Sequence, residues 1–188
     1  AFSKIFFSKG IITNYDDKKL FSNFDFSKES FELLKENIIN QYNQQGLNIN
    51  GNTFTDKSLE NFLYIDLIIK VFPNAKFIYC KRNKVANLLG ILKVFLPNLL
   101  WSHSVDNIVS MMNLYNNKLE QVISNNNVKL KIVELEKFTE NPKMYSKNLF
   151  QFLELKWKEE ILRFDLKTEH KIKPKVKVSK YSICMLVL

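Results

Sequence analysis

A short cluster of polar side chains able to bind an anion follows an apolar stretch near the middle of the chain. Residues 75–80 (Ala-Lys-Phe-Ile-Tyr-Cys) have the length and composition of a buried strand, and Lys81, Arg82 and Asn83 come directly after it. In a parallel α/β sheet, ligands bind outside the carboxyl ends of the strands. The planar guanidinium of arginine suits a phosphate better than an ammonium group does. This pattern makes Lys81-Arg82-Asn83 the first candidate for an anion site.

Other residue types that carry chemistry are sparse. Cys80 and Cys184 have neither metal-ligand nor redox-motif spacing, and Cys80 fits a small buried side chain. His103 and His170 are candidate general bases only by residue type, and a surface position is favoured for both. The sequence therefore predicts no metal site.

The elements around the candidate anion site alternate between helix and strand. Upstream, apolar spacing predicts a helix over 31–45 capped by Ser27 or Ser30, and an amphipathic helix that Ser58 caps and Pro73 closes. That second helix shows one apolar face with polar interruptions, made of Leu59, Phe62, Leu63, Asp66, Leu67, Lys70 and Val71. Downstream, the predicted elements are helices over 84–95 and 105–124, a strand over 128–135, and helices over 142–155 and 159–164.

This alternation is typical of an α/β domain with a largely parallel sheet. A chain of 188 residues supports one domain with one sizeable core and is short for two. We therefore expect one domain over residues 1–188. Residues from about 165 to 188 form a basic tail whose order the composition leaves open.

The net charge of +9 is compatible with nucleic acid, an anionic membrane or a polyanionic small ligand as partner. Lysines are spread along the whole chain, so a solvated basic surface is an equally good explanation. No run of about 18 apolar residues occurs, and the sequence predicts no transmembrane span.

Four stretches, in this order, resemble motifs of the sulfotransferases that use 3'-phosphoadenosine-5'-phosphosulfate (PAPS), especially the bacterial and tyrosylprotein-like branch. Residues 55–62 (Thr-Asp-Lys-Ser-Leu-Glu-Asn-Phe) resemble "T-D-K-x-P-x-N-F", and residues 72–83 (Phe-Pro-Asn-Ala-Lys-Phe-Ile-Tyr-Cys-Lys-Arg-Asn) resemble "F-P-N-A-K-I-I-H-x-x-R-N-P". Residues 133–142 (Val-Glu-Leu-Glu-Lys-Phe-Thr-Glu-Asn-Pro) resemble "V-x-Y-E-x-L-x-x-D-P". Residues 152–164 (Phe-Leu-Glu-Leu-Lys-Trp-Lys-Glu-Glu-Ile-Leu-Arg-Phe) resemble "F-L-G-L-x-W-D-E-x-x-L-x-F". Each match alone is weak, but their order and spacing are specific.

The resemblance implies a three-layer α/β fold, with a parallel sheet flanked by helices and a P-loop-like sulfotransferase topology. It implies transfer of a sulfuryl group from PAPS to a hydroxyl or amine of an acceptor peptide, glycan or small molecule. PAPS is then a co-substrate, no metal is required, and no nucleic-acid partner is expected.

The resemblance also assigns roles to residues. Lys57 stands where the family has the lysine near the 5'-phosphosulfate, and Arg82 where it has the arginine that grips the 3'-phosphate. The family pattern "R-N-P-x-D-x-x-x-S" adds a serine to the 3'-phosphate site, but this chain has Lys84, Ala86 and Gly90 at the last three specified positions. Losing that serine contact would cost roughly 1.5–3 kcal/mol of binding, which the charge of Lys84 can partly replace.

A fainter resemblance involves the basic tail. Lys177 and Tyr181 fall in a stretch similar to "Q-V-R-x-P-I-Y-S-S", whose arginine helps to hold the nucleotide, and here lysine replaces it. Glu136 matches the family's "Y-E" carboxylate, for which holding a neighbouring loop is favoured over catalysis. Trp157 and Phe164 are interpreted as core residues.

The Gly-rich 5'-phosphosulfate loop of the family, "P-R-S-G-T-T", does not occur in these 188 residues. We expect it, together with the general base, to precede residue 1, so that the domain is truncated at its N-terminal side and does not turn over alone. Two alternatives stay open: a catalytically degenerate relative that survives as a binding domain, and a basic nucleic-acid-binding domain, for which no recognition motif is present.

Overall fold

The computed structural model describes residues 27–46, 53–94, 96–97, 99–162 and 184–187. Within these ranges the chain has a mixed helix and strand fold with a small parallel sheet. The α-helices described are α1 (Lys28–Gln44), α2 (Ile65–Val71), α3 (Lys84–Leu92), α4 (Val105–Ser124), α5 (Leu135–Glu140) and α6 (Pro142–Leu153). The strands described are β1 (Thr55–Lys57), β2 (Lys76–Lys81), β3 (Lys129–Glu134) and β4 (Cys184–Val187). Short 3-10 helices cover Glu60–Tyr64, Leu100–His103 and Glu159–Leu162.

The four described strands are hydrogen-bonded in the order β1-β4-β2-β3. Both strands that the sequence predicts are present. The strand predicted over 75–80 is β2, shifted by one residue, and the strand predicted over 128–135 is β3, shorter by one residue at each end. The β1–β4 pair is antiparallel, with Thr55 opposite Val187 and Lys57 opposite Met185. The sequence analysis did not predict this pair, because a three-residue strand carries too little periodicity to be recognised.

The chain divides into two compact units. The first comprises Ala1–Phe77, Lys118–Lys129 and Cys184–Leu188, and the second comprises Ile78–Asn117 and Leu130–Ile183. Among the described residues, no helix is both long enough and apolar enough to cross a bilayer.

The core of the first unit lies between α1 and α2, which contact each other. α1 begins at Lys28, before the predicted start at residue 31, because Ser27, one of the two predicted caps, caps it: its hydroxyl accepts a hydrogen bond from the Ser30 backbone N–H at 3.2 Å. One face of α1 is buried and consists of Leu34, Ile38 and Tyr42, at the spacing of one helix face. The Tyr42 ring packs against Phe54, with ring centroids 5.3 Å apart.

The second predicted helix is correct in position, and its buried face is correct in part, since Phe62, Leu67 and Val71 are buried as predicted. Its first part is the 3-10 helix Glu60–Tyr64, and only the second part is α-helical. The predicted cap is wrong, because Leu59 is the N-cap residue; the Ser58 hydroxyl accepts a hydrogen bond from the Glu60 N–H just before it. The buried residues are Asn61, Phe62, Tyr64, Ile65, Leu67, Ile68 and Val71, whereas Asp66 and Lys70 are exposed. A 3-10 segment has fewer residues per turn than an α-helix, so a single 3.6-residue period missed Tyr64, Ile65 and Ile68.

The second unit contains β2 from Ile78 onward, together with α3, α5 and α6. Ile91 on α3 is buried, and α3 contacts the 3-10 helix Leu100–His103. Trp157 was predicted to be a core residue but is only half-buried; its indole N–H donates to the hydroxyl of the buried Ser146 on α6 at 2.9 Å. Phe164 lies outside the described residues, as does almost all of the predicted tail from about 165 to 188, of which only β4 is described.

We predict that Ile68→Ala lowers the free energy of unfolding by about 2–5 kcal/mol, because it removes a fully buried side chain from the core of the first unit. Urea denaturation measures the change. Leu33→Ala on α1 is the matched control, since Leu33 is 61% exposed, and it should change stability by less than about 0.5 kcal/mol. Equal effects of the two variants would contradict this description of the core.

Candidate functional site

The candidate anion site occupies the turn between β2 and α3. β2 ends at Lys81 and α3 begins at Lys84, so Arg82 and Asn83 form the whole connection. β2 is buried over residues 76–79 and becomes exposed at Lys81, as expected for a strand that leaves the core. Arg82 and Asn83 follow the buried strand directly, as predicted, whereas Lys81 is the last residue of the strand itself.

Asn83 caps α3. Its side-chain oxygen accepts hydrogen bonds from the backbone N–H groups of Val85 at 3.0 Å and Ala86 at 3.1 Å. Asparagine is among the preferred N-cap residues because its side-chain oxygen satisfies backbone donors that have no partner within the helix. The sequence analysis did not assign this cap, although an asparagine directly before a predicted helix is the signal for it.

Glu136 also holds this turn. Its Oε1 atom accepts a hydrogen bond from the Asn83 backbone N–H at 2.9 Å, across 53 residues of sequence. That hydrogen bond is the main reason why the pKa of the exposed Glu136 carboxyl lies below its usual range, and the positive charge of Arg82 contributes in the same direction. The structural role favoured for Glu136, holding a neighbouring loop, agrees with this contact.

Arg82 and Gly90 are neighbours. If Gly90 carried a Cβ atom, that atom would lie 3.4 Å from Nη1 of Arg82, which is close contact without overlap. The side chain of Arg82 therefore runs along α3 to the second turn of the helix. Lys84, the first residue of α3, is exposed, and α3 has no acidic residue in its first turn.

Lys57 ends β1 in the first unit, and its neighbours fix the strand. The Asp56 carboxylate accepts a hydrogen bond from the Asn61 side-chain amide at 2.9 Å, and Asn61 is fully buried. The buried hydroxyl of Tyr42 faces the same carboxylate; burial first, and then the negative charge of Asp56, raise the pKa of Tyr42 far above its ordinary value. Because successive residues of a strand point to opposite faces, Lys57 lies on the face away from Asp56.

The remaining predicted residues add little to the groups of residues around Arg82 and Lys57. Lys177 and Tyr181 lie outside the described residues. His103 is exposed, as favoured, and its Nε2 atom is 3.0 Å from the Leu96 carbonyl oxygen. Cys80 is half-buried and burial raises the pKa of its thiol, which fits a small packing residue. Within the described ranges, no group of three His, Cys, Asp or Glu side chains is placed to hold a metal ion.

Comparison with known families identifies the class of protein. A model of the sulfotransferase family matches residues 9–159, which is most of the chain. The protein therefore belongs to the sulfotransferase family, whose members are transferases that move sulfuryl groups and generally use PAPS as donor. No curated protein and no solved structure gives a significant match to the chain.

We predict that the Glu136 carboxyl titrates at a lower pH in the folded protein than in the urea-unfolded chain, which NMR of the side-chain carboxyl carbons can measure. The folded state then holds this proton less tightly than the unfolded state. Glu136 therefore contributes stability above the ordinary pKa of glutamate, and this contribution is lost as the pH falls through the lowered folded-state pKa. A folded-state pKa equal to or above the unfolded value would contradict the hydrogen bond to Asn83.

Proposed function

We propose that this protein is a PAPS-dependent sulfotransferase of the bacterial and tyrosylprotein-like branch. It transfers a sulfuryl group to a hydroxyl or amine of an acceptor peptide, glycan or small molecule. Membership of the sulfotransferase family supports the reaction class, and the four motifs between residues 55 and 164 support the branch.

The observation that carries the proposal is the contact between Arg82 and position 90. The family's 3'-phosphate site needs a guanidinium at the first of these positions and a hydroxyl at the second, close enough to share one phosphate. Here Nη1 of Arg82 lies 3.4 Å from the place of a Cβ atom at residue 90. The distance between the two positions therefore fits a shared 3'-phosphate, even though Gly90 itself brings no hydroxyl.

The charge around the turn favours an anion as well. Three cations (Lys81, Arg82 and Lys84) are consecutive or nearly so at the N-terminal end of α3, and the first turn has no acidic residue. Helix N-termini carry a partial positive charge and ordinarily favour acidic residues. The Glu136 carboxylate offsets part of this positive charge. A bound phosphate would offset more, and arginine holds phosphate through two parallel hydrogen bonds.

Lys57 is proposed to act at the other end of the donor. In sulfuryl transfer the bond between sulfur and the bridging oxygen breaks, a bond from sulfur to the acceptor oxygen or nitrogen forms, the acceptor loses a proton, and 3',5'-ADP leaves. Negative charge grows on the bridging oxygen, and a cation held there stabilises the transition state. Lys57 suits this role because the bonds of Asp56 and Asn61 fix the strand that carries it.

The proposal includes the finer features of the fold. We propose a three-layer arrangement of the P-loop-like sulfotransferase type and one domain over residues 1–188. Lys84, Lys177 and Tyr181 are proposed to contact the nucleotide in addition.

A second candidate is a catalytically degenerate relative that has kept the fold as a binding domain. It is favoured by the two side chains that α3 lacks, since Ala86 offers no carboxylate and Gly90 no hydroxyl. A protein that binds neither PAPS nor 3',5'-ADP would support this second candidate.

We predict that Arg82→Ala weakens the binding of 3',5'-ADP by more than tenfold, because it removes both a charge and hydrogen bonds to the 3'-phosphate. Gly90→Ser should tighten binding by roughly tenfold, because one added phosphate contact of about 1.4 kcal/mol corresponds to that factor. Isothermal titration calorimetry measures both.

Gly90→Ala is the matched control for this prediction, because it adds the same Cβ atom without a hydroxyl. It should bind 3',5'-ADP as the unmodified protein does. If Arg82→Ala binds as tightly as the unmodified protein, the 3'-phosphate site is not at Arg82. If Gly90→Ser gains nothing over Gly90→Ala, the hydroxyl has no place in the site.

We predict that Lys57→Ala and Arg82→Ala have opposite effects on the binding of two nucleotides, one with only the 5'-phosphosulfate of the donor and one with only its 3'-phosphate. Lys57→Ala should weaken the binding of adenosine 5'-phosphosulfate by about tenfold and leave the binding of 3'-AMP unchanged. Arg82→Ala should weaken the binding of 3'-AMP and leave that of adenosine 5'-phosphosulfate unchanged. Lys93→Ala, at the exposed C-terminal end of α3, is the control and should change neither. If Lys57→Ala weakens both nucleotides equally, Lys57 does not act at the 5'-phosphosulfate.

A further inference from the structure

Glu136 makes a hydrogen bond that joins two distant parts of the chain at the candidate phosphate site. Its carboxylate lies in the first turn of α5, directly after β3, and accepts from the Asn83 N–H between β2 and α3. The Glu136 side chain is exposed, so packing does not hold it in place. The hydrogen bond to Asn83, a hydrogen bond from the Glu136 backbone N–H and the attraction of Arg82 orient the carboxylate.

Asn83 transmits this contact to the rest of the site. Its backbone N–H is held by Glu136 while its side chain caps α3 through Val85 and Ala86. Its peptide N–H belongs to the bond that links it to Arg82, so any rotation of that peptide changes the direction in which the Arg82 side chain leaves the backbone. One residue thus couples the carboxylate, the start of α3 and the phosphate-binding cation.

The position of Arg82 is sensitive to such a rotation. Its Nη1 atom is near enough to Gly90 for the guanidinium to lie against the second turn of α3. Charge-assisted hydrogen bonds to phosphate depend on orientation as well as distance, because the arginine fork is planar and binds two oxygens at once. A turn with more freedom would leave Arg82 present but less well aligned.

We infer that Glu136 is a positioning residue for the 3'-phosphate site, which it serves by fixing the Asn83 peptide and through it the direction of Arg82. This inference rests on the proposed function, because it assigns to Arg82 the 3'-phosphate of the donor. Glu136 itself does not touch the nucleotide in this account.

The first experiment needs no ligand. Amide hydrogen exchange of Asn83 should be at least tenfold faster in Glu136→Ala than in the unmodified protein, because the N–H loses its acceptor. Glu136→Gln keeps an oxygen acceptor and should restore most of the protection. Glu140→Ala, which removes another exposed glutamate from α5, is the control and should leave Asn83 unchanged. Unchanged exchange in Glu136→Ala would overturn the inference.

The second experiment connects Glu136 to the phosphate. Affinities for 3',5'-ADP and for 5'-AMP, which lacks the 3'-phosphate, are measured in the unmodified protein, in Glu136→Ala, in Arg82→Ala and in the double variant. Glu136→Ala should lower the affinity for 3',5'-ADP by about tenfold and leave the affinity for 5'-AMP unchanged. In the Arg82→Ala background the same change should have no further effect, because the residue through which it acts is gone.

The outcomes separate the inference from the proposed function. If the unmodified protein binds the two nucleotides equally well, no 3'-phosphate site exists, and the proposed function and the inference both fail. If it prefers 3',5'-ADP and Glu136→Ala keeps that preference, only the inference fails. Equal weakening of both nucleotides by Glu136→Ala, or additive effects in the double variant, would show a general structural role and would also overturn it.

Discussion

The connection between β2 and α3 is the constraint on which the candidate site depends. A buried strand ends and a capped helix begins with only Arg82 and Asn83 between them. Asn83 makes the hydrogen bonds that hold this turn: its side chain caps the helix, and its backbone N–H donates to the Glu136 carboxylate. The direction of Arg82 follows from these bonds, because its own backbone is joined to a peptide that cannot turn freely.

The stretch that carries Lys57 is built on the same principle. The residue next to the cation, Asp56, is held by the buried amide of Asn61 and lies near the buried hydroxyl of Tyr42. In both stretches a neighbour of the cation supplies the hydrogen bonds that order the backbone. This arrangement suits an anion site, because a long cationic side chain loses less conformational entropy on binding when its backbone is already fixed.

The sequence predicted those parts of the fold that depend on local patterns. β2, β3 and α4 were predicted because apolar residues recur at the period of a strand or a helix, and α1 because Ser27 is a good cap. The predicted buried face of α2 was incomplete: Leu67 and Val71 are buried as predicted, but Ile65 and Ile68 were missed because a 3-10 turn precedes the helix and shifts the period. The pairing of β1 with β4 was missed, because it joins short segments far apart in the chain.

In the candidate site too, the sequence predicted what depends on local patterns and missed the long-range contacts. Arg82 was assigned from its place after a strand, and Lys57 from its place in a motif, both of which are local signals. The contact between Asn83 and Glu136 spans 53 residues, and no local pattern specifies which backbone donor a carboxylate will reach. Sequence pattern gave Glu136 a loop-holding role without naming its partner, and the hydrogen bond supplies that partner. Nor could the sequence show that the Arg82 side chain runs to Gly90, because side-chain direction depends on the packing of α3.

The central claim is that the 3'-phosphate of the donor nucleotide binds at Arg82. A crystal structure of the protein with 3',5'-ADP tests it most directly. The account predicts the 3'-phosphate within hydrogen-bonding distance of the Arg82 guanidinium, at the N-terminal side of α3 and beside Gly90. A nucleotide bound with its 3'-phosphate elsewhere, and Arg82 turned away from it, would contradict the account.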